Sequence, residues 1–414
     1  MDDTKPFDIP KALVWKAWLI VKANKGSAGI DQESIYEFEQ DLAKNLYKIW
    51  NRMSSGTYFP PPVKAVPIPK KQGGLRILGI PTVGDRICQT VAKLVFEPLV
   101  EPIFLPDSYG YRPNKSALDA IGTTRQRCWK YDWLLEFDIR GLFDNIDHEL
   151  LMKAVRLHTE NKWVLLYIER WLIAPMQMPD GTTKARTCGV PQGGVISVVL
   201  ANLFLHYVFD VWMTKHHQNK PWGRYADDAV CHCKTETEAQ ELLVELGRRF
   251  TECKLELHPD KTKIIYCKDG ARNGEYLNIK FKFLGYEFRR RKVKNHHTNG
   301  VFVSFTPAVC PEAKKEMRGK IRQMNIRNRT DLSLKQIAEW VNPILNGWIN
   351  YYGKYSRSAL YPVLNSFNLS LVSWARSKYK KLRKHKTKAC LFIQNMCKVQ
   401  PNLFAHWKHG MLAV

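Results

Sequence analysis

Arg224-Tyr225-Ala226-Asp227-Asp228-Ala229-Val230-Cys231-His232-Cys233-Lys234 holds the key to this chain. Ala229 to Lys234 is strand-like, and with Arg224 to Asp228 before it the stretch suggests a hairpin. Its tight turn carries two adjacent acids. Adjacent carboxylates repel each other, and a bound cation offsets that cost. Taken alone, an Asp-Asp pair is also a common solvated turn former.

A second stretch has a matching form. Trp133 to Ile139 is an apolar strand that delivers Asp138 at its end, within Phe137-Asp138-Ile139-Arg140-Gly141-Leu142-Phe143-Asp144. Two or three aspartates brought together on rigid elements suit nucleotidyl transfer. That chemistry uses two divalent metals roughly 3.5–4 Å apart, one activating the attacking hydroxyl and one stabilising pyrophosphate. Magnesium takes hard oxygen ligands, few of them from protein and the rest from substrate phosphates.

Working outward, residues 31–50 carry helical periodicity that Phe59-Pro60-Pro61-Pro62 interrupts. Val63 to Ile68 reads as a strand, Lys70 to Gly74 as a hairpin turn and Leu75 to Leu78 as its return. Residues 86–104 read as an amphipathic helix interrupted by Pro98 and Pro102, and helices are expected over 148–158 and 161–173. Cys188 to Gly194 is a Gly/Pro turn feeding an apolar helix from Val195. Thr235 and Glu238 form a capping-box pattern that opens a helix to about Cys253. Short strands are expected near 254–257, 264–267, 280–288 and 301–305, then helices near 312–324, 334–352 and 360–384, with Pro343 kinking or ending the second.

The net charge of +25 points to a polyanionic partner. From Tyr286 onward 25 Lys/Arg stand against 5 Asp/Glu, so this third of the chain carries +20 of the excess. Trp340, Trp348, Tyr351, Tyr352, Tyr355, Trp374 and Tyr379 are interleaved with those cations. Some of them belong to a core; the others suit stacking on bases beside neutralised phosphates. Lys354, Arg357, Arg376, Lys380 and Lys381 are the candidate RNA-phosphate contacts, with Arg112 a further RNA-binding candidate. The ten cysteines form no CxxC pair, so neither a zinc site nor a disulfide framework is expected. The apolar run Val195 to Met213 contains Asn202, His206 and Asp210, which favours a buried helix over a membrane span. No signal peptide is recognised, and a soluble cytoplasmic protein is expected.

Seven blocks in order resemble the reverse transcriptases of group II introns. They are Ile68-Pro69-Lys70 through Gly73-Gly74-Leu75-Arg76 to Gly79-Ile80-Pro81-Thr82; Ser108-Tyr109-Gly110-Tyr111-Arg112-Pro113; Phe137-Asp138 through Phe143-Asp144; Gly189-Val190-Pro191-Gln192-Gly193-Gly194; Tyr225-Ala226-Asp227-Asp228; Leu255 to Lys263; and Phe283-Leu284-Gly285-Tyr286. Together they cover about residues 60–290. The segment Trp340-Val341-Asn342-Pro343 through Gly347-Trp348-Ile349-Asn350-Tyr351-Tyr352-Gly353 resembles the start of the maturase, or thumb, domain of intron-encoded proteins.

The resemblance implies an α+β right-hand polymerase fold: fingers and a palm with an antiparallel sheet over 1–290, an α-helical thumb/maturase domain over 291–384, and a short basic extension over 385–414. It assigns Asp138, Asp227 and Asp228 to two Mg2+ ions, for which Mn2+ is a possible substitute, with the Ile139 carbonyl as an extra ligand. Lys70 and Arg76 match residues that hold the nucleotide triphosphate. Phe143 matches a steric gate against the ribose 2′-hydroxyl, a core aromatic being the alternative. Gln192 matches a contact to the nucleotide sugar, and Lys261 the proton donor to pyrophosphate. His148 and His258 are read as structural.

The implied activity is RNA-directed DNA polymerisation from a DNA or RNA primer with dNTPs on an RNA template, intron RNA foremost, with a maturase role in splicing and mobility. No zinc-bearing endonuclease domain is expected after Lys384. The alternatives are a free-standing relative serving DNA repair or antiphage defence, and a maturase that folds RNA with little polymerase activity. The oligomeric state is not legible in the sequence.

Overall fold

The structure is a computed structural model that describes residues 5–69, 73–294 and 300–411. Contacts divide the chain into two compact units. One comprises the chain up to Ala120 together with Leu135–Lys263; the other joins Ile121–Leu134 to the chain from Ile264 onward.

The strands of the first unit are β1 (Val63–Pro69), β2 (Leu75–Ile80), β3 (Trp133–Asp138, entering the unit at Leu135), β4 (Met176–Gln177), β5 (Thr183–Lys184), β6 (Trp222–Tyr225) and β7 (Asp228–Cys233). β1 and β2 pair antiparallel, with Pro69 opposite Leu75, and the order of their sheet is β2-β1-β4-β5. In a second sheet β6, β7 and β3 are neighbours in that order. Ala229 to Cys233 are all buried, as expected for a central strand covered on both faces.

Helices cover that sheet. Phe137 of β3 meets Phe209 and Phe250 edge-on, at centroid distances of 5.3 and 5.7 Å, and Phe209 meets Trp222 at 5.2 Å. Burying each such ring contributes roughly 1.5–3 kcal/mol. The helix Glu236–Glu252 supplies Phe250 and starts at Thr235, whose side chain accepts the Glu238 amide. Glu238 returns its bond one residue early, to the Lys234 amide at 2.8 Å. The helix Val83–Val100 continues past Pro98 without a break. Pro98 sits in the last turn, so its missing N–H costs one terminal bond instead of breaking the helix. Pro102 falls in a separate 3-10 turn, Glu101–Ile103.

The apolar run after Val195 forms a helix from Ser197 to His216, with a π turn over His206–Asp210. By length and composition it is the one helix among the described residues that could cross a membrane, but it is mostly buried within the protein. Residues 254–257 form no strand; only a single bridge joins Leu257 to Ile139.

The second unit has β8 (Lys263–Tyr266), β9 (Lys280–Phe283), β10 (Tyr286–Lys294) and β11 (Val301–Val309), the last three in the sheet order β11-β10-β9. Leu284 and Gly285 join β9 to β10 in a two-residue turn, both with left-handed φ (50° and 79°), which matches the twist of the paired strands. Helices follow at Pro311–Gln323, Leu334–Ser356, Tyr361–Lys378 and Lys386–Val399.

The helix Leu334–Ser356 is continuous through Pro343, so the expected stop does not occur. Val341, Leu345 and Ile349 bury one face of it. Asn342 holds the other end of the core, donating to the Leu403 carbonyl and accepting the Ala405 amide, both at 2.9 Å. Packing here outweighs the one bond that proline removes. Residues 385–414, read as a short extension, contribute Ala389, Ile393, Cys397, Phe404 and Trp407 to this same core. Of the interleaved aromatics, Trp374 is fully buried, whereas Trp340 and Tyr379 are exposed.

Candidate active site

β6 and β7 meet through the Tyr225–Asp228 pair, leaving Ala226 and Asp227 as a two-residue loop. Ala226 has φ 57°, at the first loop position, where glycine is favoured. The turn therefore places Asp227 and Asp228 side by side at the strand ends.

Asp138 arrives from β3. The His258 amide donates to the Asp138 carbonyl and the Arg140 amide to the Glu256 carbonyl, both at 2.8 Å. Buried Ile139 lies between them. The His258 carbonyl then accepts the Thr262 amide at 3.0 Å and the Thr262 hydroxyl at 2.8 Å. This turn carries Lys261 to Asp138, and its ammonium is hydrogen-bonded to Asp138 Oδ2. Lys261 is 42% exposed, so the pair adds little to stability and is better read as a local charge arrangement.

The acids feel one another. Withdrawal from solvent, followed by the charges of Asp227 and Asp138, pushes the Asp228 carboxyl up to about 7. Burial and then the charge of Asp138 raise Asp227, while Arg76 and Lys261 pull both down. Asp228 keeps an exposed side, so solvent moderates its rise. Among the described residues no three acidic, histidine or cysteine side chains converge as a ready ligand cage. The donor set is nevertheless hard carboxylate oxygen with excess negative charge. It fits a divalent ion that completes its shell with substrate phosphates and water.

Phe143 lies on the short helix Leu142–Asn145 with its ring buried, 7% exposed. Its carbonyl accepts the Val190 amide at 2.6 Å. A Cβ on Gly189 would stand 2.6 Å from that carbonyl oxygen, so only glycine permits the approach. His148 Nε2 bonds the Gly189 carbonyl at 2.7 Å from the other side. Gln192 is half-buried in the same loop and Arg76 is exposed on β2. Lys70 lies outside the described residues.

Arg112 needs correction. Its guanidinium is buried, paired with Glu101 at 2.8 Å and donating to the Leu105 and Ser108 carbonyls at 2.7 and 2.8 Å. These bonds leave it no free face for RNA, so it braces the Ser108–Pro113 block from within. Lys354, Arg357, Lys380 and Lys381 are exposed; Arg376 is half-buried, bonded to the Arg383 carbonyl and lining a pocket with Arg327, Ser373, Ser377 and Arg383.

Sequence reasoning missed a buried support behind the Gln192 loop. Asp85, 1% exposed, accepts Tyr58 Oη at 2.6 Å, Trp171 Nε1 at 2.8 Å and Gln89 Nε2 at 3.0 Å. Gln89 Oε1 in turn accepts the Val195 amide at 2.7 Å. The available signal was a polar pair at helical spacing, Asp85 and Gln89, inside an otherwise apolar helix face.

Similarity to known proteins agrees with this geometry. The sequence profile described as "Reverse transcriptase (RNA-dependent DNA polymerase)" matches residues 68–288, and that described as "Group II intron, maturase-specific domain" matches residues 314–391. Protein YkfC of Escherichia coli (strain K12) is 32% identical over 313 residues, which is 66% of this chain and 79% of that protein. Group II intron-encoded protein LtrA of Lactococcus lactis subsp. cremoris is 26% identical over 427 residues, 82% of this chain and 68% of that protein.

Proposed function

Because this chain belongs to the reverse transcriptase family and carries a group II intron maturase-specific domain, we propose that it extends a primer on an RNA template with deoxynucleotides. The observation that carries the reading is the assembly of Asp138, Asp227 and Asp228 within mutual electrostatic reach, with Lys261 and Arg76 beside them.

In this reading the three acids hold two Mg2+ ions together with the substrate phosphates. When bound, those ions lower the pKa of the attacking hydroxyl and offset charge on the leaving pyrophosphate. Arg76, exposed on β2, donates to the incoming triphosphate, and Lys261 supplies a proton to departing pyrophosphate. Gln192 meets the nucleotide sugar, and Phe143 closes the space a 2′-hydroxyl would need.

The basic helical region grips RNA through Lys354, Arg357, Arg376, Lys380 and Lys381. The match to a group II intron maturase-specific domain supports intron RNA as the ligand and a maturase role in its splicing. Full-length protein with Mg2+, an RNA template, a DNA primer and dNTPs yields cDNA; absence of any extension would contradict the proposal.

A further inference from the structure

Arg224, immediately before the Tyr225–Asp228 hairpin turn, is among the largest fully buried side chains, 1% exposed. Its guanidinium spends all five N–H donors inside the protein. Nε and Nη2 bind Asp210 Oδ1 and Oδ2 at 2.7 and 2.6 Å. Nη2 also donates to Ser108 Oγ at 2.8 Å. Nη1 donates to Asn202 Oδ1 at 3.1 Å and to the Ala226 carbonyl at 3.2 Å. Three separate pieces of chain converge on one planar group.

Each piece bears on the turn. Asp210 is wholly buried and lies in the π turn of the Ser197–His216 helix. Asn202, about two turns earlier on that helix, donates to the Gly110 carbonyl at 2.7 Å. The Arg224 amide donates to the Asp107 carbonyl at 2.9 Å, and the Tyr109 amide to the Arg224 carbonyl at 2.8 Å. A Cβ on Gly110 would fall 2.4 Å from the Ala226 amide nitrogen, so the 107–110 segment lies directly against the turn. Ala226 meanwhile holds φ 57°, a conformation an alanine does not adopt unaided.

A buried ion pair is weak as a stabiliser, because apolar residues of similar volume fill such space as well or better. What it supplies here is direction. The fork geometry of arginine fixes the Ala226 carbonyl relative to Asp210 and Asn202, which a lysine cannot reproduce.

We propose that Arg224 and Asp210 are positioning residues that hold Ala226 in its left-handed conformation at the turn and so set the spacing of Asp227 and Asp228 for catalysis. The pair touches no substrate and acts through the turn backbone. The inference rests on the reading of Asp227 and Asp228 as polymerase acids.

The test uses the full-length protein with Arg224→Lys and Asp210→Asn, each alone and each combined with Ala226→Gly. Glycine adopts a positive φ at no steric cost. In primer extension, kcat falls at least about tenfold in each single variant, while RNA-template affinity stays within about twofold. Adding Ala226→Gly recovers part of the lost kcat. Hydrogen exchange at the Ala226 and Asp227 amides accelerates in the single variants while the β3 amides stay protected. That exchange arm needs no catalytic activity, so it decides the positioning role even where the wild type extends no primer, an outcome that would sink only the polymerase reading. Exchange that accelerates equally throughout the unit, or kcat losses that Ala226→Gly leaves untouched, would overturn the proposal. So would unchanged kcat with unchanged exchange in whichever variant folds.

Discussion

The Gly79 amide donates to the Gln192 carbonyl at 2.8 Å, which ties the end of β2 to the loop that leads into the Ser197–His216 helix. The approach is tight: Gly193 has φ 120°, and a Cβ there would stand 2.6 Å from the Gly79 carbonyl oxygen. Gly193→Ala therefore strains the loop twice, through backbone conformation and through collision. The expected outcome is a rise in KM for dNTP of about tenfold, or ~1.4 kcal/mol, with RNA binding unchanged. Steady-state dNTP titration checks it, and an unaltered KM would show that Gln192 is positioned some other way.

Phe143 combines a buried ring with a backbone carbonyl that anchors Val190. Phe143→Ala is expected to cost about 3 kcal/mol of stability from the cavity it leaves. As a gate, its loss also raises ribonucleotide use relative to deoxynucleotide use by roughly tenfold or more. Single-nucleotide incorporation with matched dNTP and rNTP measures the ratio. Lowered stability with an unchanged ratio would make Phe143 a core residue and nothing else.

His406 gives a pH signature in the helical unit. Its Nε2 lies 2.7 Å from Asn368 Oδ1, an oxygen that also accepts Trp407 Nε1, and burial pushes the imidazole pKa down to about 3. The unfolded chain takes up a proton near pH 6.5 that the folded chain refuses. Stability from this group is therefore complete above that pH and falls as pH drops toward 3, with a slope near 1.4 kcal/mol per unit for one proton. Urea unfolding at pH 7 and pH 5 should differ by about 2 kcal/mol less in His406→Gln than in the wild type. Equal differences would place the acid sensitivity elsewhere.

Lys380 and Lys381 are exposed at the end of the Tyr361–Lys378 helix. As phosphate contacts, each contributes about 0.7–0.9 to the slope of log affinity against log salt. The double change to alanine should lower that slope accordingly and leave kcat on a short primer–template intact. A slope identical to the wild type would remove both from the RNA-binding surface.

Local pattern made much of the architecture readable. The short apolar run from Ala229 to Cys233 and the acids before it give the hairpin found at β6 and β7, because a run of that length bounded by a turn suits a strand buried on both faces. The paired Gly73 and Gly74 before Leu75 likewise mark the return of β2. The prolines misled: Pro98 and Pro343 both sit within continuous helices, where burial of the remaining face outweighs one lost bond. Arg112 misled for a related reason, since a cation counted from sequence carries no sign of the carbonyls it will cap. Arg224 and Asp210 lie in apolar runs, and that incongruity was their only trace. Which partners a buried charge finds depends on how the chain folds around it, and no periodicity encodes that.

The most direct test of the account is primer extension on an RNA template with Mg2+ by the Asp227→Ala/Asp228→Ala double variant, with RNA binding measured on the same preparation. The account predicts loss of cDNA synthesis with RNA affinity largely kept. Synthesis at the wild-type rate would contradict the assignment of these acids as the centre of the active site.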